Sequence, residues 1–586
     1  MDQKNLILAI VASLAILLGW QTLVEKPKQE QAVAEAQRQA EAAGRDPNTI
    51  GVPSLPAPGQ TVEELVAAAP RDRAEIIAEG DRILVETPSY RGSINLTGGR
   101  FDDLTLNRYR QTIEANSPDI TLLSPRGTAN PYFAEFGWLT GNGAVTGGGQ
   151  TKWTSAQRKL TSNTPVVLAA RTDDGLLLTR TIAVDKDYMF TIIDQVKNAG
   201  TSAVNVSPFG RVTRVNTPDT RGFFILHEGP VGVLDEQLHE IDYDDLEDEP
   251  EAPQNFKSTG GWLGFTDIYW LTALVPDMNE ELDARFLFDT TPNGSKLYQT
   301  DYRGTAVSLA PGESLEKTNR LFAGAKVFKT LKAYRDAPGK EIDRFELSID
   351  FGWFFFLTKP LLNVIIFAAN LLGNFGLAIL AVTVIIKLIF FPLANKSYRA
   401  MSGMKALQPK MTELREKYAD DKQQMQKELM GMYRREKVNP VSGCLPIALQ
   451  IPVFFALYKV LFVSIEMRHA PFFGWVRDLS AADPLNLFTL FGAVAWSPPF
   501  GLALGVWPIL MGLTMFAQQK LNPAPADPVQ ARIFMFMPLI FTFFLANFPV
   551  GLVIYWTWNN LLSITQQYVI MRRMGVAVGG GKTNDS

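Results

Sequence analysis

After Phe351 the chain turns into material that water dissolves poorly, and no other feature limits its fold as much. Five apolar runs follow one another. GLAILAVTVIIKLIFFPLA covers Gly376 to Ala394, CLPIALQIPVFFALYKVLFV covers Cys444 to Val463, and a third lies near Ala503 to Lys520. The last two, IFMFMPLIFTFFLANF and GLVIYWTWNNLLSITQQYVIM, meet at a turn, Phe548-Pro549-Val550. At about 1.5 Å of rise per residue such runs reach across, or nearly across, a hydrocarbon core of roughly 30 Å. Inside lipid each backbone N–H and C=O must be satisfied within its own segment, so helices are the expected form. The fourth run, about 16 residues, is short for a span, and a short span thins the bilayer around it. The stretch before the third run contains Pro498-Pro499 and reads as a re-entrant or surface element, with the role of 484–502 left open.

The preceding residues divide into four parts. Leu6 to Val24 is mostly apolar, and Trp20-Gln21 rather than a small-residue cleavage site stand near its end, which favours an uncleaved anchor (1–25) over a signal peptide. Residues 26–70 are rich in Ala, Gln, Glu and Pro, bury too little to fold, and read as a tether. Across 71–340, β-prone pieces such as LLLTRTIAV, YMFTIIDQV and VNVSPFGRVTRV alternate with Gly, Asn and Asp turns, the pattern of a large all-β sandwich. In 341–375, GWFFFLTKPLLNVIIFAANLLG is interrupted by Lys359, Pro360, Asn363 and Asn370, which predicts an amphipathic helix lying in the interface rather than a span. The predicted fold class is thus a multidomain membrane protein. It has an N-terminal anchor helix, an all-β domain, a five-span α-helical core over 376–573 and a short tail over 574–586.

Charge orients these parts. The formal net charge of -4 argues against a nucleic-acid binder. Asp235 to Glu251 holds ten acidic residues and no Lys or Arg, and reads as a solvated loop rather than a metal site. Lys396 to Lys437 holds eleven Lys or Arg against six Asp or Glu, which places it in the cytoplasm, and Arg572 and Arg573 agree. Counting spans from there sets the β domain outside and both termini inside. Cys444 is the only cysteine, so no disulfide forms within the chain, and His227, His239 and His469 are too dispersed for a zinc site. No nucleotide, hydrolase or metalloprotease motif occurs, so neither an enzyme nor a cofactor is expected.

Function is expected in two places. Over 396–437, Met404, Leu407, Met411, Leu414 and Tyr418 recur at helical spacing, as do Met425, Leu429 and Met432, predicting a helical hairpin with Pro409 as a kink or a helix start. These methionines either hold the helices together or also meet flexible apolar partners. Lys387 lies within the first core run, where a cation costs roughly 2.5 to 3.5 kcal/mol unless it faces water or protein. Thr383 is one turn earlier on the same face, and Gln450, Gln518, Gln519, Asn559, Asn560, Gln566 and Gln567 place polar groups on other runs. Lys387 either snorkels to the headgroups or, with these groups, lines a wet recess open to the inner side; helix-to-helix hydrogen bonding accounts for several of the others.

The run KVNPVSGCLPIALQIPVFFALYKV, the hairpin with LQPKM, the LMGLTMF stretch and FPVGLVIYWTWNN resemble the YidC/Oxa/Alb insertase family over about Gly376 to Arg573. In position and pattern the β domain resembles the periplasmic supersandwich of Gram-negative members. The resemblance implies a bacterial inner-membrane insertase and chaperone with a groove open to cytoplasm and lipid. It implies nascent membrane proteins, the lipid bilayer and the Sec translocon as partners, and the ribosome and signal recognition particle pathway as further ones. Lys387 stands where the family usually has Arg, Thr383 matches a groove position, Tyr555 matches a client-contacting aromatic, and Trp556 stands where many relatives have Tyr. A small-molecule transporter and a periplasmic carbohydrate-binding or carbohydrate-modifying protein are the alternatives; the absence of an evident repeat among five core spans speaks against the first.

Overall fold

A computed structural model of the chain describes residues 70–574, apart from 221–225, 249–252, 292–293, 340, 419–420, 437–444, 492, 495–503 and 523–527. The expected anchor, nearly all of the tether and of the tail, Cys444 and the Pro498-Pro499 pair lie outside the described residues.

Between Arg82 and Ala325 the described residues form a 12-stranded and an 8-stranded sheet. Alternation builds them: Leu176–Val184 buries every second side chain and pairs antiparallel with Met189–Asn198, so that Ile182 opposes Ile192. The two sheets meet through aromatic edges, with the rings of Phe101 and Phe190 at 5.2 Å. Three buried ion pairs join residues directly opposite on neighbouring strands: Arg180 with Asp194, Arg211 with Glu135 and Arg285 with Asp301. Their N···O distances are 2.6, 2.8 and 2.7 Å. The acidic run is more ordered than a loop. It holds the strand Gln237–Glu240 and a short helix, Tyr243–Asp248, that Tyr243 and Leu246 anchor from one face. Among the described residues no cluster of His, Cys, Asp and Glu is placed to hold a metal.

The helical part begins after a short joint. We label its helices α1 (Phe355–Leu372), α2 (Phe375–Ile389), α3 (Phe391–Ala406), α4 (Gln408–Lys417), α5 (Lys422–Arg435), α6 (Leu445–Val463), α7 (Val506–Leu521), α8 (Pro528–Phe544) and α9 (Val550–Arg573). Among the described residues α1 alone is by itself long and apolar enough to cross a membrane, α2 and α3 make one further unit across a bend of 70°, and shorter apolar stretches cover Gln450–Val463 and Ala531–Asn547. That bend corrects the continuous run expected from Gly376 to Ala394. Pro392, in the first turn of α3, has no N–H for the carbonyl of Leu388 and its ring crowds that oxygen, so the helix restarts at Phe391.

Both ends of α1 touch the bundle or the segment that follows α6. Phe354 stacks on Phe455 at 6.2 Å. At the other end Gly373, at φ 68, closes the helix in the left-handed region, and Asn374 caps α2 and donates to the carbonyl of Pro471 just beyond α6. Pro409 proves to mark the start of α4. The seam between α4 and α5 holds Leu407, Met411, Met432 and Tyr433. Leu414 and Leu429 pack against it, whereas three expected seam residues, Met404, Tyr418 and Met425, are not in that cluster. Met404 packs with Tyr398, Met401 and Ile570, because the break at Leu407 shifts the helical phase, and Met425 is half-buried.

The tightest charge cluster of the β domain yields a stability prediction. Burial alone pushes the Glu135 carboxyl up, but Arg211, Arg100 and Arg126 together hold it well below the usual carboxylate range. The folded state then binds fewer protons than the unfolded chain, so stability present at neutral pH is lost as pH falls through that range and below it. Glu135→Gln leaves three buried guanidinium groups short of a counter-charge. It is expected to cost about 3 to 5 kcal/mol and to flatten the acid dependence, both read from denaturant unfolding of the β domain at several pH values.

A candidate polar site among the apolar helices

Lys387 sits in the last turn of α2, at the inner side of the bend, and its Nζ donates to Ser563 Oγ on α9 at 2.8 Å. Ser563 is free to accept because its own proton goes to the carbonyl of Asn559, also at 2.8 Å. Tyr398, from α3 beyond the bend, reaches the same serine. Beside the ammonium lies a cavity of about 30 Å³ lined by Lys387, Tyr398 and Gln450 among Ile386, Phe390 and Leu393. That is room for one or two waters.

Gln450 on α6 extends the polar contact to a third helix, its Nε2 donating to the Tyr555 hydroxyl at 2.7 Å. Tyr555 is buried, and the next residue, Trp556, packs edge-on to Phe454 at 4.8 Å and Phe541 at 5.6 Å. Hence Lys387, Gln450, Tyr555 and Trp556 form one contiguous group joining α2, α6, α8 and α9. Asn559 adds a buried Oδ1 with no hydrogen-bond partner among the described residues.

Other expected members stand apart. Thr383 is buried and donates to the carbonyl of Ile379 in its own helix. Gln518, half-buried on α7, does not line the cavity. Asn560 and Gln567 serve helix packing: the first donates to Thr514 Oγ, the second to the carbonyl of Leu521, each at 3.2 Å. Ser563 and Tyr398 are the site residues that sequence reasoning missed. Ser563 lies one turn after Asn559 on the same face, and that spacing was the available signal. Tyr398 gave none, since the bend decides where it points.

The order of parts, a β-sandwich and then an apolar helical bundle, is that of an inner-membrane protein with a periplasmic domain, as two family matches show. Residues 82–364 match the YidC periplasmic domain and residues 367–577 match the 60Kd inner membrane protein family. Relatives called "Membrane protein insertase YidC" include one from Methylobacterium sp. (strain 4-46), 48% identical with 98% of this chain and 96% of the relative covered. Another, from Rhizobium meliloti (strain 1021), is 48% identical over 98% and 97%. A solved structure described as an active YidC insertase with its first transmembrane domain resolved is 18% identical, covers 83% of this chain and 92% of its own, and has a TM-score of 0.34. The chain belongs to the YidC family of membrane protein insertases.

The Gln450–Tyr555 bond has unequal ends. Gln450→Leu strands a fully buried hydroxyl, whereas Tyr555→Phe strands an amide that is only half-buried. The first change is expected to cost about 1 to 3 kcal/mol and the second less, measured as unfolding midpoints of the two variants in lipid nanodiscs.

Proposed function

We propose that the chain inserts and helps fold integral membrane proteins by giving a polar flank a transient resting place beside Lys387 while the adjoining apolar segment moves into lipid. The observation that carries this reading is the Lys387–Ser563 contact: a cation kept inside an apolar bundle by neutral hydroxyls, with water-sized space next to it. In this reading α2 with α3, α6, α7, α8 and α9 are the five spans, the basic segment after Lys396 faces the cytoplasm, and the β domain is periplasmic. The helix α1 lies in the outer interface, a placement favoured by Lys359, Pro360 and Asn363, which interrupt its apolar run.

The work is transfer between solvents, and the family is one of insertases rather than enzymes. The client's apolar segment slides along α6 and α9, past Phe454, Tyr555 and Trp556. Its short polar or acidic flank is drawn towards the ammonium in a medium that screens charge less than water does. Burial of the client segment, at about 25 cal/mol per Å² of apolar area, drives the last step without ATP. Clients are nascent membrane proteins, handled alone or beside the Sec translocon. The hairpin of α4 and α5 is the surface for the ribosome or the signal recognition particle pathway. There Met411 and Met432 are taken up by the seam, leaving Met425 on the partly open side.

Reversing the charge tests this. With a single-span client whose short N-terminal tail is acidic, Lys387→Arg is expected to retain translocation and Lys387→Ala to slow it. Lys387→Glu is expected to slow it by at least about tenfold, the equivalent of roughly 1.4 kcal/mol in the transfer step. Wild-type rates from the Glu variant would rule out the electrostatic role.

A further inference from the structure

The β domain grips the outer end of α6 at two points that the insertion reading does not use. Asp350, in the joint before α1, is the first. Its Oδ2 accepts from the backbone N–H of His227 in the β domain at 3.1 Å and from Lys459 Nζ on α6, and its Oδ1 accepts from the N–H of Gly352 at 3.0 Å. The two side chains of the pair are only 15% and 13% exposed. The methylene stem of Lys459 runs over Gly352, where an added Cβ would sit 2.8 Å from Lys459 Cε, and Gly352 has φ +67. The backbone geometry there disfavours any side chain, and one would push the Lys459 stem aside. The second point is Arg468, beyond the end of α6. Its guanidinium donates to the carbonyls of Arg110 and Gln111 at 2.7 and 3.0 Å and lies over the rings of Tyr269 and Trp270 at 5.7 and 5.5 Å.

An ion pair is more directional than apolar packing, and here Asp350 accepts from three donors while both side chains of the pair are largely covered, which favours one rotation of α6. Lys459 lies nine residues after Gln450 on α6, about 14 Å along the axis and on the opposite side of the helix. Lys459 therefore faces the β domain while Gln450 faces Tyr555. We propose that Asp350 and Lys459 are positioning residues for insertion: their ion pair sets the rotation and depth of α6 and so holds Gln450 against Tyr555. The periplasmic domain then takes part in the core reaction by registering one helix of the client path. This rests on the reading of Gln450 and Tyr555 as part of that path.

The test uses the full-length protein in native membranes, with Cys444→Ser and the reporter pair Gln450→Cys and Tyr555→Cys. Oxidative crosslinking of the reporter pair reads the apposition of α6 and α9 without reference to activity. Lys459→Met and Asp350→Asn are each expected to lower the crosslinking yield about 5-fold or more, the lower end of coupling between linked sites. The same changes, made with Gln450 and Tyr555 intact, are expected to lower client insertion in parallel. Lys459→Arg is expected to stay near the parent, and Asp350→Lys with Lys459→Asp to restore both readouts, which a mere loss of folding does not allow. An unchanged yield in the membrane-integrated Met and Asn variants overturns the proposal, as does a charge-swapped protein no better than either single variant. Should the Lys387 variants insert at wild-type rates while the yield still follows the ion pair, the polar-path reading fails and the positioning role stands.

Discussion

An ammonium group cannot remain among apolar helices without partners, and the bond from Lys387 to Ser563 meets that requirement. Much of the surrounding architecture follows from it. The chain must turn soon after Lys387 for the side chain to lie at the end of a helix rather than in its middle, and Pro392 makes that turn. The facing helix must offer hydroxyl and amide groups, and α9 does so with Asn559 and Ser563. A third helix must close the remaining side without sealing it, and Gln450 does so while holding Tyr555. The result is a polar thread running inward between helices whose outer faces, such as Ile385, Leu388, Phe534 and Leu539, are exposed and apolar.

The β domain solves a different problem with similar chemistry. Its sheets are long, and a slip of one residue would turn every inward side chain outward. Ion pairs at opposed positions, Arg180 with Asp194 for example, penalise such a slip heavily because each charge would be buried alone. The apolar core continues from the sandwich through Phe345, Ile349 and Phe351 into α1 and the bundle. The Asp350–Lys459 ion pair at the joint therefore acts across a surface already held together by burial, which lets it specify orientation rather than supply adhesion.

Much of this was legible from residues alone, and where it was not the reason is physical. Strands with strict alternation, such as Leu176–Val184, announce themselves, and so do apolar runs with charged flanks. Pro409 was readable as a helix start because its missing N–H suits the first turn. The bend at Phe390 was hidden within a uniformly apolar run, where hydropathy overrides the signal of a single Pro392. Lys387 stood out as a charge in the wrong solvent, but its partner lies 176 residues away, and no local pattern encodes a contact of that range. Thr383 illustrates the opposite error: sharing a face with Lys387 suggested a common role, yet its hydroxyl is satisfied by its own helix. The cross-strand ion pairs were out of reach for the same reason as Ser563, since pairing partners are fixed by register and topology.

The most direct measurement is the solvent exposure of the Lys387 position in the assembled protein. With Cys444→Ser as background, a cysteine placed at 387 is offered a membrane-impermeant thiol reagent from the inner or the outer face of sealed vesicles. Reaction from the inner face alone is the predicted result, since a polar recess entered from the cytoplasm admits water to that position. A thiol that stays unreactive from both faces until the protein is denatured, or one that reacts only from outside, contradicts it.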